Sequence, residues 1–258
     1  MIVSIHQPHF FPWLGYMDRM RCCDLFVLLD HVQFERQNYQ NRVAIKASHG
    51  PQWLVVPVCQ RSRSERITDK HIDNQGAGKH RWRQRLQRTL EHAYRGAPFF
   101  QLCAPAVIHV LESGWEKLVD LNLASIELFR RAFAIRTPLL KSSTLGIKQR
   151  GACAVLEICQ AVGATAFLGG LGASRRYLDP EPFQRAGIQI LWQEFRHPRY
   201  VQHPHPERFA EGVSALDLLF NCGPGAADVL RGGEVGGVDR HDPPPSSRAE
   251  QSDSELAV

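Results

Sequence analysis

Two short apolar runs, MIVSI at the start of the chain and DLFVLLD at residues 24–30, flank the helix-like segment WLGYMDRMRC. The second run is continuously apolar from Leu25 to Leu29, which suits a strand buried between helices and not the alternating pattern of a half-solvated sheet. Strand, helix and strand within about thirty residues make a βαβ unit, whose strands are parallel. The same alternation returns later in the chain. TPLLKSS, ATAFLGG and IQILWQEF read as strands, and GACAVLEICQAVG, ended by Gly163, and PEPFQRAG read as helices. The predicted fold is a three-layer α/β domain around a mostly parallel, Rossmann-like sheet.

The middle of the chain follows other rules. NRVAIKASHGPQWLVVPV holds two β-rich runs around Ser48, His49, Gly50 and Pro51, which predicts a hairpin. Pro57 cannot donate to a ladder, so it belongs at a strand end or edge. From residue 79 to 134 the spacing is helical, with helices predicted over Lys79–Arg95, Phe99–Glu112 and Trp115–Phe133 as an insertion or side layer. VSALDLLFNCG predicts a further short helix ended by glycine. One domain over residues 1–230 is expected. Residues 231–258 are dominated by glycine, proline, serine and acids. They bury too little apolar surface to offset their ordering entropy and are expected to be a disordered tail.

At 258 residues and 43% hydrophobic, the chain can fill one sizeable core. No run reaches the roughly 18 apolar residues of a membrane span. The first residues read as a strand and not as a signal peptide, so a cytoplasmic protein is expected. Seven cysteines without a C-x-x-C pair read as reduced thiols. His197, His203 and His205 stand beside prolines without ligand spacing, so neither a metal nor a cofactor is expected. The net charge of +5 is uneven: Lys79 to Arg95 carries six lysines and arginines against Glu91 alone. That basic face is either solvated or turned to an anionic ligand; duplex nucleic acid is not expected, because no binding motif accompanies the charge.

In open α/β sheets ligands bind outside the carboxyl ends of the strands. The predicted strand ends deliver His6 with Gln7, Asp30 with Gln33, Ser142 with Ser143, Gly169 with Gly170 and, after the last strand, His197. The connector HQPHFFPWLGY is stiff, since Pro8 and Pro12 fix their own φ and push Gln7 and Phe11 toward extended backbone. An imidazole there suits a positioned acid, base or oxyanion donor, and Asp30 on the neighbouring strand is placed to orient it or to bind a sugar hydroxyl. Gln33, Gln40 and Asn41 offer amides to a hydroxyl-rich ligand, and Arg42 offers a guanidinium to a carboxylate or phosphate. FLGGLGASRRYLD would let backbone amides approach an anion, with Arg175 and Arg176 adding charge.

The segments IHQPHFFPWLGYMDRM, DLFVLLDHVQFERQNYQNRVAIK, WLVVPV, FLGGLGASRRYLD, GIQILWQEFRHPRY and SALDLLFNCG together resemble the WbqC-like protein family over nearly residues 1–223. On that resemblance His6, Gln7, Pro8, Asp30, Gln33, Gln40, Asn41, Arg42, Gly170 and Tyr177 fall on motif positions. Gly169 departs from the serine the family pattern would place there. Members occur in bacterial O-antigen and other surface-polysaccharide gene clusters, which implies a transferase on a sugar or amino-sugar intermediate, by acyl or aminoacyl transfer. The implied partners are a sugar or nucleotide-sugar substrate and an acyl or aminoacyl carrier. A weaker likeness joins the strand, connector and WLGY helix start to class I nucleotidylyltransferases, with Tyr16 where their signature places a second histidine. That likeness implies nucleotidylyl or adenylyl transfer as the alternative, and a noncatalytic carbohydrate- or carrier-binding partner is the third reading.

Overall fold

The computed structural model describes residues 1–62, 64–75, 81–170, 172, 175 and 178–232. Arg176, Tyr177, the first two residues of the expected basic helix and almost all of the expected tail lie outside them. Five strands form one sheet: β1 (Ile2–His6), β2 (Leu25–Leu28), β5 (Leu139–Lys141), β6 (Ala166–Gly169) and β7 (Gln189–Trp192). Their order is β5-β2-β1-β6-β7 and every pair is parallel. A two-stranded hairpin, β3 (Arg42–Ala47) and β4 (Gly50–Val55), stands apart from the sheet. Its turn holds Ser48 and His49, and Gly50 at φ 113° supplies a conformation few other residues adopt. β4 ends before Pro57, as the missing donor requires.

The helices are α1 (Leu14–Arg21), α2 (Trp82–Tyr94), α3 (Phe100–Glu112), α4 (Leu118–Ala132), α5 (Gly151–Ala161), α6 (Pro180–Arg185), α7 (Leu216–Cys222) and α8 (Ala226–Leu230). Alternation along the buried strands sends side chains to two separate cores. Val3, Ile5, Val27, Leu29 and Phe167 pack with Val155 and Ile158 of α5 and Phe183 of α6. Phe26, Leu28 and Leu168 pack on the opposite face with α1, the hairpin and α2, α3, α4, α7 and α8. The central helices are therefore part of the larger core. Trp82, Leu86, Leu90 and Tyr94, spaced four apart, form the buried stripe of α2. Among the described residues, no helix is long and apolar enough to cross a membrane.

The connector between β1 and α1 runs along the larger core and is held from several sides. The Asn122 amide of α4 donates to the carbonyls of Pro8 (2.9 Å) and Gln40 (2.8 Å). Phe10 N donates to Tyr39 O (3.0 Å), and Ala215 N to Pro12 O (2.9 Å). Phe11 corrects the expectation from Pro12: its φ is 40°, in the left-handed region. Tertiary contacts override the local preference. Its N–H donates to Ser125 Oγ (3.0 Å), its carbonyl accepts from Ser214 Oγ (2.7 Å), and its ring packs on Phe10 and Phe129.

Asn122 is fully buried. Replacing it with alanine leaves two buried carbonyls without their donor, so Asn122→Ala is expected to cost about 2 to 3 kcal/mol in urea unfolding. A change below about 0.5 kcal/mol would show that the amide does not hold the connector.

Candidate functional site

Sheet topology and packing place the site together. From β1 the chain moves to β2 and later β5 on one side, then crosses to β6 and β7 on the other. The reversal lies between β1 and β6, where open α/β sheets bind ligands at the strands' carboxyl ends. Those two strands end at His6 and Gly169, and His6 shares the face of Phe26 and Leu28 through its register with Leu28. Helix α1 lies on that same face and brings Tyr16 and Arg19, one turn apart, to the strand end.

His6 is partly buried and His9 is 2% exposed, with their ring centroids 4.5 Å apart and edge to face. Tyr16 lies 5.0 Å from His6 and stacks on His9 at 5.3 Å. His6 Nδ1 is 3.0 Å from the Gln7 carbonyl. A carbonyl only accepts, so Nδ1 carries the hydrogen, and the neutral ring keeps its lone pair on Nε2. The His6 pKa is well below the ordinary histidine value, through burial first and then the charges of Arg19 and His9. Burial, with Arg19 second, takes His9 down to about 3. Burial raises the Tyr16 phenol, which donates to the Gln7 carbonyl (3.3 Å). Buried His9 Nδ1 has no hydrogen-bond partner among the described residues.

The cation behind these shifts is Arg19, 7% exposed. Its guanidinium occupies the space where Gly170 would carry a side chain: a Cβ there would sit 2.0 Å from the terminal nitrogen. Gly169 is likewise filled by the Trp192 ring, 2.5 Å from where a Cβ would stand. These glycines thus admit side chains from α1 and β7 at the switch point. Gln193 fixes α1 beneath them, donating to Gly15 O (2.9 Å) and Asp18 Oδ2 (2.8 Å).

The WbqC-like protein family matches residues 7–229. The chain belongs to that family. It is also 31% identical over 231 residues, 89% of this chain and 97% of the other, to the uncharacterized protein Rv1507c of Mycobacterium tuberculosis. No solved structure matches it.

Of the residues expected from the family motifs and the strand ends, the structure gathers His6, Gln7, Gln40 and Gly170, with Gly169 adjoining. Gln40 donates from Nε2 to Gln7 Oε1 (2.8 Å), tying the loop after β2 to the connector. Asp30, 1% exposed, has other business than the expected imidazole. Its carboxylate accepts from Ser142 Oγ (3.0 Å), Ser143 N (2.8 Å) and Ser143 Oγ (2.8 Å), locking the end of β2 to the turn after β5. Ser142 also meets His31 Nδ1 at 2.6 Å. Gln33 is exposed and bridges Arg66 by backbone, and Asn41 donates to Val56 O (2.9 Å). Arg42 lies over the Trp53 ring at 4.3 Å. His197 sits in a separate aromatic group with Phe195, Tyr200 and Phe209. Tyr177 lies outside the described residues.

The strand-end rule missed His9, Arg19, Tyr39 and Trp53. Tyr39 stacks on His9 at 5.5 Å and meets Trp53 at 5.9 Å. Arg19 follows Tyr16 by three positions, a helix-face signal that the sequence contained.

The depressed histidine makes acid destabilising. Between pH 6.5 and about 3 the unfolded chain protonates His9 while the folded one does not, so this histidine weakens the fold as pH falls. His9→Gln is expected to reduce the slope of unfolding free energy between pH 6 and 4 by about one proton, or about 1.4 kcal/mol per pH unit. An unchanged slope in urea titrations would place the His9 ring in contact with solvent.

Proposed function

We propose that the protein is a transferase acting on a sugar or amino-sugar intermediate of bacterial surface-polysaccharide biosynthesis, by acyl or aminoacyl transfer. One observation carries the reading: a neutral imidazole with Nε2 as acceptor stands beside a buried guanidinium at the switch point of the sheet. In this mechanism the acceptor's amine or hydroxyl attacks the donor's acyl carbon. The new bond forms as the bond to the carrier breaks, and the acceptor's proton passes to His6 Nε2 and then to the departing carrier. Arg19 holds an anionic group of the substrate. That anion offsets the positive charge which disfavours imidazolium, so His6 becomes a better base once substrate is bound. Gln7 and Gln40 brace the connector, Asp30 fixes the adjoining strand end through Ser142 and Ser143, and Arg42 takes the phosphate of the carrier or nucleotide.

The test is incubation with nucleotide amino-sugars and acyl or aminoacyl donors, read by product mass. An acylated sugar is expected with wild type, and none with His6→Gln at a melting temperature near that of wild type. No modified sugar with any donor would overturn the transfer reading, and an active His6→Gln would remove the base from it.

Nucleotidylyl transfer is the second reading, favoured by the sheet order, which in terms of the sheet's own strands is 3-2-1-4-5 with two imidazoles and a guanidinium at its reversal. It predicts ATP or CTP binding by calorimetry, and binding of neither removes it. A noncatalytic carbohydrate- or carrier-binding role predicts instead that His6→Gln leaves pathway output intact.

A further inference from the structure

The hairpin has a feature that folding alone does not require. Trp53 is 43% exposed and Val55 is 37% exposed, two positions apart on β4 and so on one face of it. This patch is far too small for a protein interface, which covers on the order of 800 Å² per partner. It is also not isolated. Trp53 meets Tyr39, Tyr39 stacks on His9, and His9 meets His6 at 4.5 Å, so a continuous series of ring contacts leads from an exposed tryptophan to the proposed base. Arg42, cross-strand from Val55, places its guanidinium over the tryptophan. Cations stand at both ends of the series, Arg42 on the hairpin and Arg19 beside the imidazoles.

We infer that Trp53, Tyr39 and Arg42 form an outer subsite of the candidate site, which takes the flat face of a ring joined to the substrate's anionic group. The ring is a pyranose or a nucleobase, both of which present a face that packs on an aromatic side chain. The inference rests on the reading of Arg19 as the holder of that anion and adds the part of the substrate that the inner residues do not reach. Trp53 recognises the ring, Arg42 donates to phosphate or hydroxyl oxygens beside it, and Tyr39 carries the contact inward to His9. A ligand of this class is a sugar phosphate or a nucleoside diphosphate.

The test is calorimetry on the full chain with three probes: inorganic pyrophosphate, glucose 1-phosphate and uridine diphosphate. Trp53→Ala is expected to weaken at least one ring-bearing probe by about tenfold or more, to leave pyrophosphate unchanged, and to be largely rescued by Trp53→Phe. The pyrophosphate affinity also reports that the variant remains folded. Loss confined to uridine diphosphate assigns a nucleobase, and loss confined to glucose 1-phosphate assigns a pyranose. Equal affinity of Trp53→Ala for all three probes, or an equal loss for all three, overturns the outer subsite while the anion reading stands. If wild type binds none of them, or if Arg19→Met binds pyrophosphate as wild type does, the anion reading fails and takes the subsite with it.

Discussion

A single buried amide organises the region where the chemistry is proposed. Asn122 projects from α4 and donates to two carbonyls, one from the connector after β1 and one from the loop after β2. Those segments are otherwise irregular, and an irregular buried segment must satisfy its polar groups one at a time. Gln40 extends the tie by donating to Gln7, and its own carbonyl oxygen Oε1 accepts from Glu35 N at 3.2 Å. The outcome is a polar seam inside an apolar core. The carbonyls of Pro8 and Gln40 and the side chain of Gln7 share these donors, so the connector has little freedom to shift.

That rigidity permits an otherwise costly arrangement. Two imidazoles and a phenol pack together within the electrostatic reach of a guanidinium, and burial keeps all three rings neutral. In water the rings would take other positions and the cation would be hydrated. Here Gly170 admits Arg19, Gln193 pins the helix that carries it, and Phe11 is held at a positive φ. Strain of this kind costs on the order of 1–3 kcal/mol and persists only where the surroundings over-determine it. The hydroxyls of Ser125 and Ser214 provide that determination from two different elements.

Much of the fold was legible because it depends on local patterns. Apolar runs, four-residue stripes and glycine or proline at element ends gave the sheet strands, the hairpin and helices whose bounds moved by three residues or fewer at each described end, such as Leu118–Ala132 against Trp115–Phe133. The site was only half legible. His6, Gln7 and the paired glycines follow from where strands end. Arg19 could not be assigned to the site from the connector alone, because its place depends on Gly170, which stands 151 positions later and has no pattern in common with it. Asp30 was read toward the neighbouring strand β1, yet its carboxylate is taken by the serine turn after β5, on the other side of β2. Adjacency in a sheet tells which strands meet, and the hydrogen-bond donors at each strand end decide which neighbour a carboxylate chooses.

A second buried polar group, on the helix that begins beside the connector, contributes to the pH response in the opposite sense to His9. Asp217 on α7 is fully buried, accepts from Tyr94 (3.3 Å) and Tyr200 (3.2 Å), and is pushed up to about 7 by burial. Its folded pKa exceeds the ordinary 3.8, so its stabilising proton is fully present below that value and is lost as pH rises toward about 7. His9 works in the opposite sense, with a folded pKa below its ordinary 6.5. Where the ranges overlap, between about pH 4 and 6.5, the folded chain holds one extra proton at Asp217 and lacks one at His9, and the two slopes oppose each other. His6, lowered like His9, adds to the slope on the histidine side. Binding an anion at Arg19 would offset the second cause of the His6 and His9 shifts while burial, the larger one, remains, so occupancy there would move both imidazoles only part of the way back toward their ordinary value.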